Sequence, residues 1–405
     1  MSARAFRLAG WPWLSAALQA ATLVLVVRLL GLDDYGRYAT AYAIASMLAP
    51  LLVAGPAFVY LNSHPAFGCS REGLGNVWTR ALFVMGTGCA ALVPVCMGVF
   101  AGEWSDWPLW FAVGVTEIVL AGFIEMTVRH YQAIEHRFAM AAWRVGPHAV
   151  RLLVAVAAFL TGFVFSIETW IGVSFAIALV AAILGMRRVP QRNAPRAFDA
   201  LFRLLRTGFR YDSGGAANRV IADADKPFAM RMIAPGGAGS LFLAQRLVDL
   251  LCVPLHATVA DTLPRLLDAT LAERRALWWK TTLASGVYAL FAGALLLALA
   301  PLLRWMGPQF AVAASATAWL CWLPLVGFAR GMLGNAAIVA GHGALYSRGH
   351  WLGAFLRIAG AVVGIGLFGW RGAIASLFIA ELVPVLYFLS ATNRWWPGTR
   401  HRSLV

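Results

Sequence analysis

The sequence predicts an all-α polytopic membrane protein: about 12 transmembrane helices in two pseudo-repeated six-helix halves around a central cavity. Three observations predict it. The 405 residues are 60% apolar and 13% charged, with a mean hydropathy of +0.72, whereas an ordinary soluble domain carries about 25% charged residues. Several uninterrupted apolar runs approach the roughly 20 residues that cross a bilayer as a helix. A segment near the start also returns, weakened, half a chain later. Arg28-Leu29-Leu30-Gly31 through Gly36 closes one apolar run and opens the next, and Arg231 through Gly239 does the same at an offset of 203 residues. Arg28 falls on Arg231, Gly36 on Gly239, Ala41 on Ala244 and Leu48 on Leu251. Weak internal repetition in a very apolar chain is what two half-bundles around one site produce.

In order, the expected spans are 9–29, 39–62, 78–101, 108–129, 140–162 and 169–186, then 208–231, 240–262, 280–302, 310–330, 349–369 and 372–391. Arg4 and Arg7 before the first run mimic a secretory signal. No small-residue cleavage site follows and many spans do, so this run is read as the first membrane helix. The halves become 1–186 and 208–405, joined by a basic cytoplasmic linker at 187–207. Within that linker, Ala200 to Arg206 has the pattern of an amphipathic surface helix leading into the seventh span. Every other connection is short, which leaves no loop able to fold as a soluble catalytic domain.

The net charge of +15 comes from 33 basic residues, 31 of them Arg. Placed on the spans, 22 fall in one set of loops and tails, from Arg4 and Arg7 through Arg330 and Arg348 to Arg402. Five (Arg28, Arg37, Arg231, Arg304 and Arg371) fall in the other. That bias follows the positive-inside rule and places both termini in the cytoplasm. The positive charge is therefore an orientation signal suited to anionic membrane lipids, and no nucleic-acid partner is expected.

Six basic residues remain inside spans: Arg144, Arg151, Arg219, Lys226, Arg246 and Arg357. The acids Glu117, Glu125, Asp212, Asp223, Asp225, Asp249 and Glu381 join them. A single Arg or Lys costs roughly 2.5–3.5 kcal/mol at a helix centre on the insertion scale, so such a set must face its own members or a watery cavity. Spacing supports this. Arg144, His148 and Arg151 stand at i, i+4 and i+7, on one helical face. Asp212, Arg219, Asp223 and Lys226 form a second stripe, and Arg246 with Asp249 is an i, i+3 pair. The plainer alternative is that Asp223 with Arg219, and Asp249 with Arg246, are neutralised pairs that hold helices together. His256 reads as a core residue.

Pro50, Pro56, Pro94, Pro147, Pro254, Pro324 and Pro384 fall inside spans and tend to kink them. Trp11, Trp13, Trp104, Trp107, Trp395 and Trp396 read as interfacial anchors. Cys69, Cys89, Cys96, Cys252 and Cys321 are odd in number, scattered and without metal-ligand spacing, so they are packing residues and no metal site is expected.

Val27 to Tyr38, with its Arg28-Leu29-Leu30-Gly31 and Asp33-Asp34-Tyr35-Gly36 core, resembles the turn between the first two helices of polysaccharide flippases. These are the Wzx-type translocases of the multidrug/oligosaccharidyl-lipid/polysaccharide exporter superfamily. Asp225-Lys226, followed by Gly239 and Ala244-Gln245-Arg246-Leu247, is similar to their region between helices seven and eight. The motifs cover about 60 residues and are loose. Pro227 stands where an aliphatic is usual, and Ala234-Pro235-Gly236-Gly237 replaces a more regular turn.

The resemblance implies a bacterial inner-membrane flippase for a polyprenyl-diphosphate-linked oligosaccharide, an O-antigen or exopolysaccharide repeat unit, working beside a glycan polymerase machinery. On that expectation the diphosphate is held by Arg144, His148, Arg151, Arg219, Lys226, Arg246 and Arg357. The acids serve proton or Na⁺ coupling, or charge pairing. No covalent chemistry is implied, so the chain is expected to be no enzyme and to need no cofactor. Two readings compete: a multidrug or small-cation antiporter of the same superfamily, and a non-transporting membrane scaffold.

Overall fold

A computed structural model describes residues 3–62, 70–190 and 198–392. Cys69, Arg192, Arg196, Arg394, Trp395, Trp396, Arg400 and Arg402 lie outside the described residues, as do the side chains of Arg4, Arg7 and Trp13. The described chain is helical from end to end. In order come α1 (Ala3–Leu52), α2 (Ala54–Asn62), α3 (Arg71–Ala81), α4 (Thr87–Ala101), α5 (Trp107–Gly114) and α6 (Ala121–Ala133). Then follow α7 (Arg137–Thr161), α8 (Ile167–Met186), α9 (Phe198–Asp223), α10 (Asp225–Ile233) and α11 (Pro235–Asp268). The last are α12 (Leu271–Trp305), α13 (Ala311–Trp319), α14 (Leu323–Val339), α15 (Gly343–Phe368) and α16 (Trp370–Thr392). π-turns at Leu82–Gly86 and Val115–Leu120 join α3 to α4 and α5 to α6 into single rods.

Ten stretches are long and apolar enough to cross a membrane. One of them, Leu14–Asn62, has 49 residues. At 1.5 Å per residue that is about 75 Å, more than twice a hydrocarbon core of about 30 Å, so it supplies two crossings. The eleventh and twelfth expected crossings are thus accounted for by the second pass of this stretch and by the polar rod α9–α10. Hydropathy alone misses that rod because Asp212, Arg219, Asp223, Asp225 and Lys226 dilute it. The protein is a multi-pass membrane protein.

The repeat is written into the backbone. Among the described residues eight have positive φ, and they fall into four pairs. Gly31 pairs with Ala234 at an offset of 203, Gly102 with Gly307 at 205, Glu135 with Gly341 at 206, and Gly162 with Gly369 at 207. The third pair shows how closely the turns match. His136 N–H bonds to Tyr131 O and His342 N–H bonds to Ala337 O, both at 2.9 Å, which is the six-to-one closure of a helix C-terminus. The next helix then starts after His136 in one copy and after His342 in the other.

Gly31 (φ 80, ψ 170) breaks α1, and Ala234 (φ 76, ψ 154) separates α10 from α11. The irregular Ala234–Gly237 sequence therefore makes the same one-residue break as its counterpart. Just beyond the breaks the equivalent glycines meet. A Cβ on Gly36 would lie 2.5 Å from Pro235 O, and one on Gly239 would lie 2.0 Å from Leu32 O. Leu32 and Pro235 are themselves equivalent, so the contact is reciprocal.

The Gly31 and Ala234 conformations belong to a region that costs a residue with a Cβ about 1–3 kcal/mol. Glycine's extra unfolded entropy takes back about 0.5–1 kcal/mol. Ala234→Gly is therefore expected to stabilise the protein by about 1 kcal/mol. Gly31→Ala, whose Cβ meets nothing within 4 Å, is expected by the same balance to destabilise it by about 1 kcal/mol. Thermal unfolding of the two purified variants in detergent measures both signs.

By packing, Met1–Phe242 and Leu243–Val405 form two compact units. The division expected at 187–207 rests on sequence repetition, and we keep it as a proposal. In the first unit, α9 packs against α1 and α2, and α7 against α1, α6 and α8. Its core gathers Tyr60, Trp78, Met97, Trp110 and Phe123. Trp78 Nε1 donates to Leu52 O at 2.8 Å and so satisfies a carbonyl at the end of α1. The segment Ala200–Arg206 is the start of α9, continuous with the seventh crossing. Its buried side is Leu201 and Leu204, while Phe202, Arg203 and Arg206 are exposed.

In the second unit α15 and α16 form a close hairpin. A Cβ on Gly372 would stand 1.8 Å from Gly364 O, and one on Gly360 2.9 Å from the Ser376 Cβ. Small residues at this spacing let helix backbones approach. Trp104 and Trp107, in the α4–α5 connection, are exposed as interfacial anchors should be. In that connection Glu103 lies 3.0 Å from Arg37 Nε. Burial, joined by Asp106 and Asp34, pushes its carboxyl up from the ordinary carboxylate range, and Arg37 opposes the shift. One residue was misplaced by hydropathy. Arg330, assigned above to a cytoplasmic loop, is buried inside α14, because the apolar run continues for nine residues beyond it.

Candidate functional site in the charged spans

The charges form separate groups within each unit. In the first, α7 carries Arg144, His148 and Arg151 on one face, and its partner is the α5–α6 rod. Arg151 Nη2 lies 3.9 Å from Glu117 Oε1, and Glu117 sits in the π-turn Val115–Leu120. Such turns recur at functional sites. Arg144 Nη2 lies 3.9 Å from Glu125 Oε1, but Glu125 is already held by Arg129 Nε at 2.6 Å. Two guanidiniums share one carboxylate, and the Arg144 side chain keeps 46% exposure. The group is net cationic, and Arg144 is its open member. Tyr38 of α1 lies within electrostatic reach of both Glu117 and Arg151.

A second group occupies the broken rod α9–α10. Asp212 interrupts α9 (φ −114, ψ 18), and Ala224 separates the two helices. Asp223 accepts hydrogen bonds from the Lys226 ammonium and from the Ser46 hydroxyl of α1. Arg219, exposed, acts on both Asp223 and Asp212 at longer range. Asp223, Asp225 and Lys226 are buried. The sequence had offered Arg219 as the partner of Asp223. The structure gives that place to Lys226, one helical turn on, and adds Ser46 from 177 residues away.

In the second unit a buried ion pair, Arg330 with Glu381, Nε to Oε2 at 2.7 Å, joins α14 to α16 with both side chains under 10% exposed. Arg357 and Asp249 act on the same Glu381. Arg357 is fully buried and donates to Ala373 O at 2.7 Å and Ser376 Oγ at 2.6 Å. It ties the α15–α16 hairpin at the head of its small-residue stripe. His350 packs between Tyr346 and Phe388. Arg246 and Asp249 pair on α11 at 4.0 Å with both side chains partly exposed.

The offset of 206 that matches Glu135 to Gly341 also matches Arg151 to Arg357 and Arg144 to His350. The two halves thus keep a basic or imidazole side chain at corresponding depths of corresponding helices. The first half opposes it to acids on the α5–α6 rod, whereas the second ties it to backbone and hydroxyl. Sequence reasoning missed Ser46, Tyr38, Arg330 and His350. For Arg330 the signal was present, in the small and apolar residues 331–339 that follow it.

Comparison with solved structures places the fold. A lipid II flippase MurJ in an inward closed conformation matches with a TM-score of 0.73 at 12% identity, covering 96% of this chain and 87% of that one. The MATE multidrug transporter DinF-BH matches with a TM-score of 0.69 at 13% identity, over 96% and 93% of the two chains. An inward-facing multidrug resistance MATE family transporter of the MOP superfamily gives 0.65 at 13%, again over 96% and 93%. No family model matches the chain, and no curated protein does. The fold is the all-helical one of the MATE and MurJ structures. At these identities the likeness concerns the fold.

Proposed function

We propose that the chain is a flippase that moves a polyprenyl-diphosphate-linked oligosaccharide, an O-antigen or exopolysaccharide repeat unit, across the bacterial inner membrane by alternating access, with both termini cytoplasmic. The observation that carries this reading is the surplus cation at Arg144. Its guanidinium stands seven residues into α7, open, beside a carboxylate already neutralised by Arg129. On this reading it faces water or an anion, since an arginine facing lipid is costly. A diphosphate is a bidentate acceptor suited to its planar fork. Arg151, His148 and the exposed Arg219 extend the same cationic character; of the rest of the expected set, Lys226 is held by Asp223 and Arg357 by backbone and hydroxyl, and Arg246 is partly exposed. The likeness to the MurJ fold supports a lipid-linked cargo.

Directionality on this proposal comes from proton or Na⁺ exchange at Asp223, Glu117 or Glu125, with glycan polymerase machinery removing product outside. Transport by the purified protein in liposomes that ignores both gradients would remove the coupling.

The rival reading, a multidrug or small-cation antiporter, has the MATE likeness and the buried acids Asp223, Asp225 and Glu381 in its favour. Against it, the open member of the α7 group is a cation, Arg144, where a cation carrier would need uncompensated acid. Deleting the gene decides between them. Loss of surface polysaccharide with lipid-linked intermediate accumulating inside supports the flippase. Intact surface glycan with altered cation-drug tolerance supports the antiporter.

A further inference from the structure

A groove of about 520 Å³ runs between α7 and α8. Gly146, Pro147 and Val150 line one wall, and Ala176, Val180 and Leu184 the other. Its lining is apolar throughout. At 100° per residue the α7 wall lies on a different face from Arg144, His148 and Arg151, so this helix turns charge one way and the groove another. Pro147 has no N–H for the carbonyl one turn back and so loosens α7 where the groove runs. The lined stretch is about eight residues on each helix, or ~12 Å, less than one leaflet's depth.

The end of the groove carries the opposite chemistry. Arg187 and Arg188 follow Leu184 at three and four residues, which sets them on the same face of α8, immediately past its last turn, and both are exposed. An apolar slot with two exposed arginines one turn beyond its α8 wall is complementary to an anionic amphiphile whose charge sits at the end of a single chain. A glycerophospholipid brings two acyl tails to one phosphate, and a slot of this size takes part of one.

We propose that this groove seats the first units of the cargo's isoprenoid tail, with its diphosphate at Arg187 and Arg188. It is a loading site at the cytoplasmic membrane surface, distinct from the charged stripe of α7. The inference rests on the flippase reading above.

The test uses the full chain in phosphatidylcholine nanodiscs, with a prenyl diphosphate carrying a diazirine in its first isoprene unit as the probe. After photolysis, labelled peptides are mapped. Label is expected in 142–150 and 176–184. Gly146→Phe should abolish it, since a Cβ there meets nothing within 4 Å and the ring can enter the groove without disturbing the fold. Arg187→Ala with Arg188→Ala should weaken labelling about tenfold or more, the loss of charge-assisted bonds to phosphate. Unlabelled prenyl diphosphate should compete, and phosphatidylglycerol should not. Equal competition by phosphatidylglycerol overturns the proposal in favour of bulk lipid. Specific label only on α9–α10, or label in the groove that Gly146→Phe leaves untouched, overturns the groove and leaves the flippase standing. No diphosphate-dependent label anywhere overturns both.

Discussion

Arg144→Ala is expected to cut glycan export by about 10–100-fold while the protein remains folded and in the membrane. The magnitude follows from losing one charge-assisted hydrogen bond to the cargo's diphosphate, about 1.5–3 kcal/mol, at about 1.4 kcal/mol per factor of ten. The intact fold follows from the geometry. Arg144 is half open, and its removal strands no partner, because Glu125 keeps Arg129 at 2.6 Å. Arg144→Lys should recover part of the activity, since an ammonium keeps the charge and loses the planar fork. Arg151→Ala is the contrasting variant. Its side chain and that of Glu117 are both mostly covered, so this change weakens packing as well as cargo binding, and its protein level should fall with its activity. The readouts are surface polysaccharide, accumulated lipid-linked intermediate and membrane protein level in deletion cells carrying each variant. Wild-type export by a normally expressed Arg144→Ala would sink the cationic-site reading.

The sequence made the fold legible because membrane architecture is dominated by local signals. Apolar run length finds the crossings, and the Arg28–Gly36 and Arg231–Gly239 segments reveal the duplication. Its full extent was not legible. The turns at Glu135 and Gly341 share a backbone but little composition, since positive φ can be met by Gly or, at a cost, by another residue. The same holds for Gly31 and Ala234, where the sequences differ and the break is the same.

Within the site, helical spacing found the α7 stripe, because three residues on one face are a local fact. It could not find Ser46 for Asp223, or Glu381 for Arg330, because those partners meet only through packing. A hydroxyl in an apolar run carries no sign of its role. Arg330 was lost for another reason: a charged residue at the edge of a hydropathy window reads as the edge of the helix, although the apolar residues continue past it.

The Arg330–Glu381 pair gives the largest expected stability effect. Breaking a buried pair by removing one partner typically costs about 3–5 kcal/mol, because a charge is left uncompensated. The two single variants should differ within that range. Glu381→Leu removes the carboxylate on which both Arg330 and Arg357 act, leaving two guanidiniums that cannot shed a proton. Arg330→Met leaves a carboxyl that can relieve itself by taking up a proton, and Arg357 still acts on it. Glu381→Leu is therefore expected to lower the unfolding temperature more than Arg330→Met.

Combining the two should restore much of the loss, since neutral side chains of similar volume replace both charges. Thermal unfolding of the purified wild type, both singles and the double measures the coupling directly. Additive losses would show that the 2.7 Å contact carries no coupling energy and that α14 and α16 are held by their apolar faces alone. A stable double variant that still exports glycan would further show that Glu381 holds these helices together and carries no coupling ion. A stable double variant that has lost gradient-dependent export would place ion coupling at Glu381, and the role of Arg330 would then be to balance its charge.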